Sequence, residues 1–350
     1  MTLHGIIFFS ILTVFNSCNG QVKNAESISE ATKSVGKIVS EIDKSIWVIF
    51  QDRKYNYWFG SNGKGAYCFD GKNIKQFTTE DGLYSNHIRG IQEDKFGNIY
   101  FDTPNGVSKF DGGKFISLIP IKWAVNQWKL QPDDLWFKRN GDVLGALRYD
   151  GDTLYQLDFS EISSNKISSE YAVFSIYRDS RGNVWFGTLT AGVGCFDGIT
   201  LNWIYEDEFA SLEDGRAPAV RSILEDEDGY FWFSNLIYQY SISLNSEKSQ
   251  QSFNYERVKR IELSQQEVKM NLPYYTSAVT DKKNIWMTTY NEGVWKYDGE
   301  NLTNYLLNDA GTNVLTMFIY KDNAGSLWLG TDNAGVYKFN GKTFEKFKPI

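Results

Sequence analysis

Histidine is almost missing from this chain. Of the two present, His4 lies in an apolar leader, so only His87 is left for chemistry. A zinc centre built on clustered His and Cys is thereby excluded. A Ser-His-Asp triad has one candidate base, and His87 falls on a polar turn beside Asn86. Cysteine is just as sparse, at positions 18, 68 and 195, and proline occurs only six times. No run of like charge is long enough for a polybasic or acidic tail. A net charge of −7 and a pI near 5.1 oppose a nucleic-acid partner, which needs a basic footprint. No apolar run has the length of a membrane-spanning helix.

What the chain has instead is aromatic residues and glycine. Aromatics make up 16% of it and Gly occurs 30 times. That combination favours short strands broken by tight turns. With 42% hydrophobic and 23% charged residues, 350 positions suffice for a large buried core.

The first segment stands apart. Gly5 to Phe15, "GIIFFSILTVF", is uninterrupted and apolar, too short to span a bilayer but of signal-peptide length. Ser17 directly before Cys18 resembles a bacterial lipoprotein processing site, at which the signal is removed and the cysteine carries lipid. A plain secretory signal cut nearby is the alternative. The expectation is a signal over 1–17, a polar tether over 18–44 (an extended linker or a short helix), and one domain over 45–350.

That domain is periodic. Trp58-Phe59, Tyr100-Phe101, Trp136-Phe137, Trp185-Phe186, Trp232-Phe233, Trp286-Met287 and Trp328-Leu329 stand in equivalent contexts. Trp58 to Trp328 is 270 residues over six intervals, a mean period of 45, which is that of a four-stranded propeller blade. A second anchor, aromatic-Asp/Asn-Gly, follows mostly 11 residues later, as in Phe69-Asp70-Gly71 and Phe339-Asn340-Gly341. An Asp-containing turn, such as Asp94 to Gly97 or Asp322 to Gly325, precedes the first anchor. Each unit reads as four strands, a to d, joined by Asp-Gly and Asn-Gly turns. Runs apolar on both faces suit sheets stacked against sheets.

The fold expected is therefore all-β, a seven-bladed β-propeller of four-stranded blades, with no obvious strand exchange closing the ring. The stretch from Ser241 to Tyr275 is longer than its counterparts and predicts an extended outer strand pair or an insertion in blade five. Cys68 and Cys195 occupy one position of strand c in blades one and four, nearly opposite in a seven-fold ring. They are expected to be buried free thiols, beyond the reach of a disulfide.

"EDGLYSNHIRGIQEDKFGNIYFDTPNGVSKFDG", Glu80 to Gly112, resembles the two-component-regulator propeller repeat. That family joins a D-G-L-x-x-N turn to a D-x-x-G-x-[IVL]-[WY] hairpin and a G-[VL]-x-[RK]-[FY] strand. The resemblance implies kinship with the glycan-sensing periplasmic halves of hybrid regulators, but the repeats here fill one propeller and leave no stretch for a kinase. The streptogramin lyases, single propellers with similar repeats, use more than one histidine with a metal, a set His87 alone does not supply.

Chemistry is thinly written. "EDEDGY", Glu225 to Tyr230, is rich in carboxylates, yet it lacks the Glu spacing of an EF-hand loop and occupies an ordinary a–b turn. The repeat-slot tryptophans read as core between blades. Off-register aromatics, Trp123, Trp128, Trp203, Trp295 and Tyr290, are the freer candidates. In a propeller, b–c loops and d–a links share one face around the channel mouth. Asn62, Lys64, Asn105, Arg139, Asn140, Tyr290, Asn291, Asp332 and Asn333 are expected to line it and to suit a polar ligand such as a sugar or peptide. The function expected is non-enzymatic binding of a glycan or an envelope protein, with no cofactor, no metal and no nucleic acid. The protein would be exported to the periplasm or the outer membrane and anchored through lipid on Cys18. The alternative is a polysaccharide-acting enzyme using carboxylates at the central channel.

Overall fold

The computed structural model describes residues 35–123, 129–139, 145–159, 173–189, 191–205, 219–244, 253–262 and 274–349. Seven sheets of four or five strands follow one another along the chain, antiparallel except for one edge pair in the third. Blade one holds β2 (Ile46–Gln51), β3 (Tyr57–Ser61), β4 (Ala66–Phe69) and β5 (Ile74–Phe77). An extra outer strand, β1 (Lys37–Val39), pairs with β5. Blade two is β6 (Gly90–Glu93), β7 (Ile99–Thr103), β8 (Gly106–Phe110) and β9 (Phe115–Leu118). Blade three contains β10 (Ile121–Lys122), β11 (Leu135–Lys138), β12 (Gly145–Tyr149) and β13 (Leu154–Asp158). Blade four is β14 (Val173–Arg178), β15 (Val184–Thr188), β16 (Val193–Phe196) and β17 (Leu201–Ile204). Blade five is β18 (Ile223–Glu225), β19 (Phe231–Phe233), β20 (Tyr238–Leu244) and β21 (Phe253–Lys259), and blade six β22 (Ser277–Asp281), β23 (Asn284–Thr288), β24 (Val294–Tyr297) and β25 (Leu302–Tyr305). A small hairpin, β26 (Asn308–Asp309) with β27 (Thr312–Asn313), leads into blade seven: β28 (Thr316–Lys321), β29 (Leu327–Thr331), β30 (Val336–Phe339) and β31 (Phe344–Lys346).

The seven-bladed, four-stranded plan read from the period is the fold. Two details depart from it. Part of the stretch read as a tether is β1, because "KIV" finds a free ladder edge on β5. In blade three, β10 runs parallel to β13 on the outer edge, and no described strand lies inside β11. The long unit in blade five is an extended outer pair, β20 and β21 of seven residues each. Residues 245–252 and 263–273 of that stretch fall outside the described residues.

The period has a physical cause. In the a–b turn of five blades an Asp caps its own hairpin and holds the anchor ring. Asp179 accepts the backbone N–H of Arg181 and Asn183, the Asn183 amide, and Trp185 Nε1 at 3.0 Å. Asp52, Asp94, Asp226 and Asp322 do the same for Trp58, Tyr100, Trp232 and Trp328. The acid-rich "EDEDGY" is thus a hairpin like its counterparts, with Asp226 occupied by Asp228, Tyr230 and Trp232. Blade six has a shorter turn, in which Lys282 takes φ 56°, and Trp286 Nε1 is left buried without a partner. Trp136 in blade three shares that fate, its nearby Asp134 being engaged by Arg148.

The repeat-slot tryptophans are core, each no more than 6% exposed. Successive clusters bridge neighbouring blades, so each seam is an aromatic-aliphatic layer. Trp123 and Trp295 are buried too, Trp203 packs on Phe159, and Trp128 lies outside the described residues.

Blades one and seven meet without sharing a strand. Tyr57 Oη donates to Asp322 Oδ2 at 2.7 Å, Ser45 Oγ and Trp47 Nε1 donate to Asp332 Oδ1, and Gly335 N–H donates to Lys44 O. Phe347 closes the same seam against Phe59, Phe69 and Trp328.

Candidate functional site

The b–c loops have a common build. Backbone N–H groups of Ser61, Thr188, Thr289 and Thr331 donate to the carbonyls of Gly65, Gly192, Gly293 and Gly335, at 2.9 to 3.1 Å. The hydroxyls of Thr188, Thr289 and Thr331 donate to the same carbonyls. A strand-ending Ser or Thr therefore staples a five-residue loop shut. The Gly must be Gly: at Gly293 φ is 74° and an added Cβ would meet Tyr305 O at 2.4 Å.

Blade links join these loops on the same side. Asn62 bridges to His87, whose Nδ1 sits 3.0 Å from Asn62 Oδ1. Asn313, from the link into blade seven, donates to Asn291 O and accepts from Asn333 Nδ2. Lys64, Asn105, Tyr290 and Asn291 are exposed, and Asn62 is half-buried. Arg139 is engaged with Asp158, which also accepts from Gln156. Asp332 serves the ring seam, and Asn333 holds Leu315 N–H and Asn313 O. Asn140 and Cys18 lie outside the described residues.

One constellation escaped the loop-based reading. Two residues after the anchor ring, strand b carries Gly60, Gly187 or Gly330 in three blades, where a Cβ would come within 2.4 to 2.7 Å of Ile88, Val220 or Ile46 at the start of the next blade. Blades two and three carry Asp102 and Lys138 there. Asp102 Oδ2 accepts Lys138 N–H at 3.0 Å, and Gln92 Nε2 donates to Trp136 O at 2.7 Å. Two side chains from blade two thus satisfy the inner edge of β11. Lys138 Nζ in turn donates to Arg89 O. Asp102 is 2% exposed and its Oδ1 has no partner. Burial raises its pKa to about 6, although Lys138 and Arg89 draw it back. The same burial lowers that of Lys138. The signal lay in the repeat, as two charges where the slot otherwise holds Gly, Ser or Thr.

Among the described residues no group of three or more His, Cys, Asp or Glu could hold a metal ion, and no helix is long and apolar enough to cross a membrane.

A seven-bladed propeller with stapled loops on one face belongs to a well-populated class. Within it, residues 167–190 match the family model of the two component regulator propeller, so the chain carries that repeat. No curated relative matches. Among solved structures, an extracellular domain described as that of a one component system from B. thetaiotaomicron is 19% identical, with a TM-score of 0.59 over 90% of this chain and 40% of that one. Virginiamycin B lyase from Staphylococcus aureus is 14% identical, with a TM-score of 0.58 over 87% and 98%. PorZ of Porphyromonas gingivalis, a surface component of the type-IX secretion system, is 17% identical, with a TM-score of 0.52 over 85% and 46%. This chain spans 40% of the B. thetaiotaomicron domain it matches. These likenesses establish the fold.

Proposed function

We propose that the protein is a binding propeller whose b–c face takes a polar ligand, a glycan in the first instance, or an envelope protein. The observation that carries this reading is the stapled loop repeated in four blades. Loops fixed before the ligand arrives lose little conformational freedom on binding. What they display differs from blade to blade: Asn62 and Lys64, then Tyr290 and Asn291, with Asn105 from blade two. Such variation on a constant frame suits recognition of a polar, irregular surface. Export, lipid on Cys18 and residence in the periplasm or at the outer membrane complete the proposal, supported by the leader sequence and by neighbours described as extracellular domains.

The test is a thermal-shift screen of the purified chain against oligosaccharides, since a ligand that binds only the folded state raises Tm. A shift lost in Tyr290→Ala and in Asn62→Ala supports the assignment. A shift that survives both overturns it, and a blank panel followed by co-purification of an envelope protein selects the protein partner.

A further inference from the structure

The anchor residue of strand b faces a fixed position of strand c, and that pair records what fills the seam beside the ring. The registered pairs are Tyr100 with Lys109, Trp136 with Arg148, Trp286 with Lys296, and Trp328 with Lys338. In each of these a long cationic side chain lies along aromatic faces. Lys109, Lys296 and Lys338 hold their amines 5.7, 5.8 and 4.8 Å from the centroids of their anchor rings. Arg148 covers Trp123 at 4.6 Å and pairs with Asp134. In blade five Gln239 reaches the turn carboxylate, its Nε2 2.8 Å from Asp226 Oδ2.

Cysteine takes this position twice. In blade four Cys195 is sealed in an apolar cluster, and Arg181 from the turn comes in over Phe231 and beside Asp179. In blade one Cys68 faces Trp58 and is only half-buried, contrary to the expectation of two buried thiols. There a cavity of about 300 Å³ opens between blades one and two. Its apolar wall includes Trp58, Phe77 and Phe110. Its charged lining is Asp52, Asp70 and Glu93 with Lys54 and Lys75; Lys75, registered opposite Cys68, holds its amine 5.5 Å from the Phe77 centroid, and Arg53 Nε lies 3.8 Å from Glu93 Oε2. Glu93 also accepts from Arg53 N–H. Turn residues Gly97 and Gly112 place the opening at the a–b and c–d turns, away from the stapled b–c loops.

We infer that this inter-blade cavity is a binding site for an organic cation, a guanidinium or ammonium group on a short aliphatic stem, seated beside Trp58 where the other blades place their own Lys or Arg. The stem packs against Trp58 and Phe110 in place of the methylenes that Cys68 lacks, and the head meets Asp70 and Glu93 at the rim. Aromatic faces hold such cations by the ring quadrupole, most strongly when the site is partly desolvated. The volume is at the lower end for ligand pockets, which fits one side-chain-sized group and not an oligosaccharide.

Saturation-transfer NMR on the whole chain tests it, with n-butylguanidinium as probe and n-butanol as its neutral counterpart. The cation should bind roughly tenfold more tightly than the alcohol, as a modest cation–π and carboxylate contribution implies. Cys68→Ser keeps the cavity and should keep the signal. Cys68→Lys restores the residue of three other blades, and should abolish the signal while raising Tm. Equal binding of the alcohol, or no transfer to the cation in the unaltered protein, overturns the site without reference to any variant. N-acetyl-arginine amide separates the sources: binding at the strength of butylguanidinium assigns a peptide side chain, and its exclusion assigns a free small cation. Loop substitutions on the opposite face should leave all of these readings unchanged, so failure here and failure of the glycan-binding reading are distinguishable.

Discussion

The hydroxyl of Tyr57 in the first blade donates to Oδ2 of Asp322 in the last, 2.7 Å away and 265 residues along the chain. The same oxygen accepts Trp328 Nε1 at 2.8 Å, so one carboxylate sets both the anchor ring of blade seven and the closure of the circle. Burial first, then the bond to Asp322, raises the Tyr57 pKa. Tyr57→Phe should cost about 1.5 kcal/mol, the value of a hydrogen bond to a charged acceptor. Asp322→Ala should cost about 3 kcal/mol or more, because it strands the Trp328, Tyr57 and turn N–H donors together. Urea unfolding monitored by fluorescence measures both, and equal costs would show that Asp322 does not act as a shared acceptor.

A bonded indole and an orphaned one provide an internal comparison. Trp185→Phe removes a ring and a hydrogen bond to Asp179, whereas Trp286→Phe removes a ring whose N–H has no partner. Both rings are buried, so the loss of packing is similar. Trp185→Phe should be the costlier by about 1 kcal/mol in denaturant titrations.

Asp102 predicts a pH dependence. Its pKa is raised from the ordinary carboxylate value to about 6, so the folded protein holds this proton over a range in which the unfolded chain has lost it. The group therefore favours folding below about pH 4, and that favour drains away as pH rises to about 6. Asp102→Asn is neutral throughout and should be more stable than the parent above pH 6, by on the order of 2 kcal/mol. The advantage should vanish toward pH 4. Melting curves of the pair across pH 4 to 7.5 decide it, and parallel curves would sink the assignment.

Tyr55 occupies the slot that Gly97, Gly182, Gly229 and Gly325 hold in other blades, at φ 66° and largely exposed. A side chain in the left-handed region is strained by about 1 kcal/mol. Tyr55→Gly should therefore stabilise the protein by up to about 1 kcal/mol, since relief of strain is partly offset by the freer unfolded chain. Calorimetry gives the sign directly.

The blades could be read from the sequence because each element that sets the period is local. The carboxylate of Asp179 reaches the backbone of Asn183 and the ring of Trp185, all within six residues, so the motif shows in any alignment of the chain with itself. The D-G-L element is local as well: Asp81 accepts Thr78 N–H, Gly82 takes φ 98°, and Leu83 enters the core. Pairings made across space left no such trace. That Lys37 to Val39 would add to β5, or that Gln92 and Asp102 would satisfy β11, depends on edges left free by the arrangement of whole blades. The loop candidates came out mixed for the same reason. Tyr290 and Asn291 point to solvent, while Asp332 and Asn333 are drawn into holding neighbouring segments, a distinction absent from an Asn-rich loop read alone.

The seam between blades one and seven has a consequence for the order of assembly. Contacts spanning 265 to 287 residues occur there through Ser45, Trp47, Gln51 and Tyr57, and no ladder of one blade depends on a strand of the other. Each blade can therefore complete its own sheet as soon as its fourth strand leaves the ribosome, with little loop-closure entropy to overcome. The circle forms last, when Ile46, Ile49 and Phe59 of blade one close on Trp328 and Val336 of blade seven and the polar bonds and Phe347 fasten that apolar layer at its rim.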